Sequence, residues 1–357
     1  MSQRSGLILA VETSCDETAV AVVGYGRRIV SSVVASQVAL HAPTGGIVPE
    51  VAARAHLRWM VPVLEEAVER AGLADRSALD AVAVTEGPGL AGSLLVGITM
   101  AKTLAWVERL PLVPVNHLEG HIYAAWLIDA DEPERPGPEF PLVALVVSGG
   151  HTFLVEMTSH LRYRLLGQTV DDAAGEAFDK VGRLLGLPYP GGPAIMAAAA
   201  AAERHDRRFP RAWLGESYDF SFSGLKTAAR RAVDESPGRS PEDRGPHGSH
   251  LGTADVAELA WAFQDSVVDV LATKTLRAAR ELGARTIVLG GGVAANSVLR
   301  HRIAVGAAGM GVPLIVPRPG LCTDNAAMIG AAAWHRLAAG SMADATLDAR
   351  PSLKLAV

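Results

Sequence analysis

Cysteine is nearly absent: Cys15 and Cys322 are the only two in 357 residues. Two thiols so far apart form no disulfide framework, which predicts a chain that works in a reducing cytoplasm. Long apolar runs are missing as well. Residues 6–11 are the only apolar run before Glu12, and no stretch approaches the roughly eighteen uncharged apolar residues of a membrane span, so neither a signal peptide nor a membrane segment is expected. Basic charge is not in excess either. The 33 Lys and Arg against 38 Asp and Glu give a net charge of −5, which argues against coating nucleic acid by bulk electrostatics but leaves room for a local basic patch. What is present, 49% hydrophobic and 20% charged, suits an ordinary globular chain long enough for two compact domains.

Residues 6–11, 19–23 and 28–34 are short β-type runs divided by polar or glycine-containing turns, a three-stranded antiparallel meander. Residues 48–70 carry apolar side chains at helical spacing and stop at Gly72. A strand at 81–84, a break at Glu86-Gly87-Pro88-Gly89, a helix over 93–108, a strand at 112–115 and a histidine-bearing helix complete the order βββαβαβα. The acidic, proline-rich segment 129–141 reads as a linker. The order then recurs: strands 142–147, 152–157 and 162–166, helical sequence from Asp171, a long helix over 255–282, strand 286–289, helix 297–307, strand 314–316 and helix 325–337. This repeat predicts a duplicated α/β fold, with lobes at 1–128 and 142–324 and a cleft between them. A helical insertion is expected at 187–254, and a C-terminal helix over 325–340 is expected to return to the first lobe. Residues 236–252, rich in Pro, Gly, Asp, Arg and His, read as an exposed, mobile insertion to which the sequence assigns no role.

Asn116-His117-Leu118-Glu119-Gly120-His121 places two imidazoles four residues apart, on one helical face, where they can grip one metal ion. The competing reading is a polar helix surface. Zinc peptidases carry Glu directly after the first His; here Leu118 stands there and Glu119 follows about 100° further round the helix. A third ligand must come from elsewhere. Asp324, ahead of the last helix, either caps that helix or completes a two-His, one-carboxylate site suited to iron or zinc as a Lewis acid. The first hairpin of each half is made of small polar residues, Thr13-Ser14-Cys15-Asp16-Glu17-Thr18 and Ser148-Gly149-Gly150-His151-Thr152. They are either plain tight turns or, facing each other, brackets for a phosphate. Gly290-Gly291-Gly292 follows a strand and opens a helix, the usual ligand end of an α/β sheet, yet lacks the lysine of a P-loop. Asn296 either caps that helix or reads a nucleotide. Asp172, Glu176 and Asp179 line one helical face, as solvated charge or with Asp179 taking ribose hydroxyls. Tyr189-Pro190-Gly191-Gly192-Pro193 offers an aromatic ring and flat backbone nearby.

With these segments in hand the chain resembles the tRNA threonylcarbamoyladenosine transferases, once described as O-sialoglycoprotein endopeptidases. The resemblance runs from about Leu7 to Ala339. It rests on VETSCDET (11–18), GGIVPEVAARAH (45–56), GPGLAGSLLVG (87–97), NHLEGH (116–121), SGGHT (148–152), DDAAGEAFDKVGRLLGLPYPGGP (171–193), DFSFSGLKT (219–227), GGGVAANSVLR (290–300) and CTDNAAMIG (322–330), in that order. It implies an actin/hexokinase-like fold of two ribonuclease-H-like lobes. It also implies transfer of a threonylcarbamoyl group from threonylcarbamoyl-AMP to the exocyclic amine of the adenosine 3′ of the anticodon, in tRNAs that read codons beginning with A. His117, His121 and Asp324 fall on the family's metal ligands, with iron expected before zinc. Val146, Val147, Ser148, Gly149, Gly150, Asp179, Gly192 and Asn296 fall on its adenylate-binding positions.

An acyl phosphate anhydride is already activated, so no covalent enzyme intermediate is needed. Asp16 and Glu17 are the acidic candidates for taking the amine's proton, and Cys15, lacking a paired base, is a weak rival as nucleophile. Arg204, Arg207, Arg208 and Arg211, and separately Lys226, Arg230 and Arg231, are candidate contacts for the tRNA anticodon stem-loop. The resemblance further implies an inactive paralogue docked on the N-terminal lobe and a small ATPase as helpers. The rivals are a small-molecule kinase of the same fold, a metallopeptidase, and a non-catalytic scaffold.

Overall fold

A computed structural model describes residues 5–73, 76–235 and 251–355. Most of the insertion expected at 236–252 thus lies outside the described residues. Leu7–Glu12 (β1) and Glu17–Gly24 (β2) are buried almost throughout rather than on alternate residues, the mark of a sheet covered on both faces. With Arg28–Ser36 (β3) they form the antiparallel meander. Leu79–Gly87 (β4) and Leu112–Asn116 (β5) add in parallel beyond β1. One face receives the helices Pro49–Arg70 (α2) and Ala91–Glu108 (α3), which follow the short helix Val38–His41 (α1). There Leu9, Val11, Val20 and Val22 pack with Met60, Leu64, Leu94 and Ile98 in one core cluster.

The sheet order is β5-β4-β1-β2-β3-β6, where β6 is Ile128–Asp129, parallel to β3. Pairing at that point was unexpected, because the segment that follows reads as linker. The Arg28 guanidinium ties it down by donating to the carbonyl oxygens of Ala130 at 2.7 Å and Glu132 at 3.2 Å.

The second sheet repeats the plan. Leu142–Val147 (β7), Thr152–Ser159 (β8) and Arg162–Gln168 (β9) lie side by side, and Thr286–Gly290 (β10) and Leu314–Ile315 (β11) continue in parallel beyond β7, in the order β11-β10-β7-β8-β9. Ala174–Leu184 (α5), Gly191–Ala199 (α6), Ser223–Asp234 (α7), Thr253–Glu281 (α8) and Ser297–Ala308 (α9) belong to this half. The five-strand plan expected from the sequence is therefore present twice.

Two compact units result: Met1–Pro138 with Ser159–Tyr163 and Pro317–Val357, and Glu139–Thr158 with Arg164–Val316. The chain leaves the second sheet after β11. Pro319–Cys322 (α10), Asp324 and Ala326–Ala338 (α11) accordingly join the first unit, earlier than the boundary drawn at 324. α11 packs on β1, β2, β4 and β5. Its small residues permit this: a Cβ on Gly330 would stand 2.8 Å from Val23 Cγ2. Beyond α11 the chain straps along the first unit. Ala343 donates to the Leu112 carbonyl oxygen at 2.9 Å, Gly89 donates to that of Pro351 at 3.1 Å, and the Asn116 amide donates to that of Lys354 at 2.9 Å.

Candidate metal centre and glycine loops

β5 ends on Asn116, whose side-chain oxygen accepts the Leu118 N–H at 2.9 Å and starts the helix His117–Tyr123 (α4). Helical spacing brings His117 and His121 together, with ring centroids 4.7 Å apart and planes at 80°. Gly120, between them, lets α4 approach α11, because a Cβ there would stand 2.9 Å from Ile329 Cδ1 and 3.0 Å from Met328 Cγ. The N-cap of α11 is Asn325, which accepts the Met328 N–H at 3.0 Å. The capping role open to Asp324 is therefore filled by its neighbour, and the Asp324 carboxylate faces the imidazoles. Its Oδ1 lies 3.4 Å from His117 Nε2 and 3.3 Å from His121 Nε2.

Three features of this cluster fit a divalent cation. One donor atom from each of the three residues falls within 4.8 Å of the others. Donors held about 2.0–2.1 Å from a common ion stand about 3.0–3.4 Å apart, which is the spacing seen between Asp324 and each ring. Both ring nitrogens of His121 are buried, and apart from the 3.3 Å approach of Asp324 to Nε2 neither has a hydrogen-bond partner among the described residues, a costly state unless something else takes a lone pair. Burial opposes charge on His117, yet Asp324 and Glu12 together raise it well above the ordinary imidazole range. Burial likewise works against the Asp324 carboxylate, and the two histidines outweigh it and hold it well below the usual range. The cavity calls for positive charge, which a proton or a metal ion can supply.

The β1–β2 turn adjoins this cluster. Thr13 donates its hydroxyl to the Ser93 carbonyl oxygen at 2.8 Å, and Leu90 N–H donates to that of Ser14 at 2.7 Å. His56, a residue that carried no role in the sequence analysis, fixes the next positions: Nδ1 pairs with the Thr18 hydroxyl at 2.7 Å and Nε2 with the Cys15 carbonyl oxygen at 3.0 Å. Burial, Asp324 and Asp16 push the Cys15 thiol well above its ordinary value, so the thiolate a nucleophile needs is disfavoured. Asp16 is buried. Glu17 accepts the Ser36 hydroxyl at 2.9 Å, and burial together with Asp16 and Asp324 pushes its carboxyl up to about 9.

The adenylate candidates all lie in the second unit. Val146 and Val147 end β7, and Ser148, Gly149 and Gly150 make its turn, closed by Ser148 N–H donating to the His151 carbonyl oxygen at 2.8 Å. A Cβ on Gly175 would stand 2.4 Å from the Ser148 carbonyl oxygen, and one on Gly291 2.4 Å from that of Val147. These glycines serve close packing, and through them the loops at 148–150, 173–175 and 290–292 converge. Gly149, Gly150, Gly192 and Gly292 instead border open space. Asp179 accepts the Gly191 N–H at 2.7 Å through Oδ1, and burial raises its carboxyl despite that bond. Asn296 caps α9 by accepting from Val298 and Leu299, each at 3.0 Å, and its amide donates to Gln264 Oε1 at 2.8 Å. Its capping role is thus realised. Tyr189-Pro190 precedes α6, so the stretch expected to be flat backbone turns helical at Gly191.

The basic clusters are largely neutralised. Arg204 pairs with Glu258 at 2.5 Å, Arg211 with Asp265 and Asp269, Lys226 with Asp172 and Arg230 with Asp234. Arg207 and Arg208 remain exposed without an acidic partner among the described residues, and the Arg208 guanidinium lies 5.1 Å over the Trp261 ring. Arg231 is exposed as well.

Fold and loops together define an actin/hexokinase-like protein whose glycine turns gather at strand ends. Among solved structures, HypF from T. kodakarensis shares the fold with a TM-score of 0.60 at 15% identity, over 95% of this chain and 48% of that one. The sequence family described as tRNA N6-adenosine threonylcarbamoyltransferase (TsaD) matches residues 28–331. The tRNA N6-adenosine threonylcarbamoyltransferase of Thermomicrobium roseum is 56% identical over 98% of this chain and 97% of its own. That of Symbiobacterium thermophilum is 50% identical over 99% and 98%. This chain belongs to that family.

Proposed function

We propose that this chain transfers the threonylcarbamoyl group of threonylcarbamoyl-AMP to the exocyclic amine of the adenosine 3′ of the anticodon, in tRNAs reading codons that begin with A, releasing AMP. Membership of the family carries the reaction. The observation that carries the site is the convergence of His117, His121 and Asp324, which we assign as ligands of one divalent ion, iron before zinc. Bound there, the ion would act as a Lewis acid toward the threonylcarbamoyl carbonyl.

The chain's own groups supply the rest. The backbone at Gly149, Gly150 and Gly192, which borders open space, would receive the phosphate, with Val146, Val147 and Ser148 as the floor of that turn. Asp179 keeps Oδ2 for a ribose hydroxyl, and the Asn296 cap sets the neighbouring backbone. Asp16 is the acceptor for the amine's proton, because Glu17 holds its own proton at neutral pH. Turnover of Asp16→Asn should therefore fall more than that of Glu17→Gln, and near-normal rates in both remove this assignment.

The peptidase reading is disfavoured by a specific contact. Glu119, the acid nearest the histidines in sequence, is clamped by Arg336 in a buried two-point ion pair of 2.7 and 2.8 Å and has no freedom to act as a base on water. Exposed apolar side chains on α2 and α3, Leu57, Val61, Leu95 and the 82% exposed Trp106 among them, support an inactive paralogue docking on this lobe. The small ATPase and the cytoplasmic setting follow from the family reading; no helix among the described residues is long and apolar enough to cross a membrane. The deciding experiment is tRNA modification by the purified chain, supplied with the adenylate-forming enzyme and the helper proteins, beside metal analysis. Wild type should form the modified base and retain one ion, and His121→Ala should do neither.

A further inference from the structure

Glu12 is fully buried at the end of β1, where a carboxylate has no structural need to be, and no step above uses it. It points toward the back of one proposed ligand. Its Oε2 lies 3.0 Å from His117 Nδ1, on the side of the ring opposite the nitrogen that faces Asp324. The carboxylate is itself held on both oxygens: Oε2 accepts the Thr85 hydroxyl at 2.6 Å, and Oε1 accepts the Ser14 N–H. Ser14 Oγ, at 3.2 Å, is a second and more distant neighbour of Nδ1. A charged acceptor at the shorter distance makes the stronger bond, so Glu12 accepts the hydrogen bond from Nδ1–H and Ser14 is the minor neighbour. His121 has no such support: its Nδ1 has no hydrogen-bond partner among the described residues.

We propose that Glu12 is the positioning residue of the metal centre. By accepting from His117 Nδ1–H it fixes the tautomer whose Nε2 lone pair faces Asp324, and it locks the ring plane for binding. Thr85 and Ser14 hold Glu12 in turn, so the orientation of an imidazole on α4 is set from β1 and β4. The inference rests on the assignment of His117 as a metal ligand. Carboxylate support of a ligating imidazole commonly changes metal affinity by about 10–100-fold when removed. His117 and His121 are thereby unequal, one ring oriented by a carboxylate and the other by packing alone.

The test uses the full chain, zinc as probe and a competing chelator. Glu12→Gln keeps the volume of the side chain and should weaken zinc binding about 10–100-fold, with the metal-free melting temperature close to that of wild type. Thr85→Val, which touches no ligand, should weaken binding less but in the same direction. Nitrogen chemical shifts of the metal-free protein, recorded above the pH at which the His117 ring loses its second proton, should show that ring protonated on Nδ1 in wild type and a mixture of tautomers in Glu12→Gln, which a merely structural role would not produce. Unchanged zinc affinity in Glu12→Gln overturns the proposal. So does a loss of affinity in step with a loss of metal-free stability while Thr85→Val binds as wild type. Should Glu12→Gln fail to fold, Thr85→Val decides alone: weakened binding supports the proposal and wild-type binding overturns it. His121→Ala separates the two levels. If it too binds zinc as wild type, the ligand assignment itself falls, whereas loss of zinc there beside normal binding in Glu12→Gln removes only the role of Glu12.

Discussion

At the scale of single residues, the surroundings of the β1–β2 turn sort three reactive side chains. Cys15 sits where burial and the carboxylates of Asp324 and Asp16 raise its thiol, so Cys15→Ser is expected to turn over close to wild type in the modification assay. A loss of two orders of magnitude would restore it as a nucleophile. Glu17 yields a pH prediction. Its carboxyl moves from an ordinary 4.5 to about 9 on folding. Between those values the folded chain holds a proton that the unfolded chain has released, so metal-free stability falls as pH rises through that window. Urea titrations from pH 5 to 9 should show that decline in wild type and a flatter profile in Glu17→Gln. The histidine spacing was legible because four residues make one helical turn; Asp324 as the third member was one of two open readings. The cap itself is taken by Asn325, one position on, which leaves the Asp324 carboxylate facing the histidines. The role of Glu12 was illegible, because nothing in a strand-end carboxylate reveals which helix its oxygens will meet.

At the scale of elements, α4 and α11 are held to each other by small residues and one ion pair. Arg336 on α11 meets Glu119 on α4 at two points in the interior. Arg336→Leu leaves that carboxylate buried and unpaired, and should destabilise the chain by about 3–5 kcal/mol in chemical denaturation. A change under 1 kcal/mol would mean that water reaches Glu119. Strands and helices were readable where periodicity or apolar runs were long, as in β1, β7, α2 and α8. The strap after α11 was not readable, since it binds through backbone carbonyls that carry no side-chain signature. The arginine clusters misled for a related reason: Arg204 and Arg211 look free in sequence, yet Glu258, Asp265 and Asp269 on α8 neutralise them. Exposed Arg207, Arg208 and Arg231 are the better candidates for phosphate contact.

At the scale of the molecule, all three proposed ligands lie in the first unit and all the adenylate candidates in the second. A bound ion stabilises the unit that holds it, by about 4 kcal/mol at a thousand times its dissociation constant. Calorimetry of the chain with zinc and with a chelator should therefore shift the melting of the first unit upward with metal, while AMP acts on that of the second. One transition moved equally by both ligands would show that the units melt together.

The first unit is also stitched from distant parts of the polypeptide. As the protein emerges from the ribosome, β1 to β5 and α4 appear early, but the sheet face that α11 covers stays bare while the whole second unit is translated. A half-made protein on this plan carries two imidazoles and no carboxylate between them. It would hold the proposed ion weakly and leave apolar sheet uncovered, so the proposed chemistry waits until both halves exist.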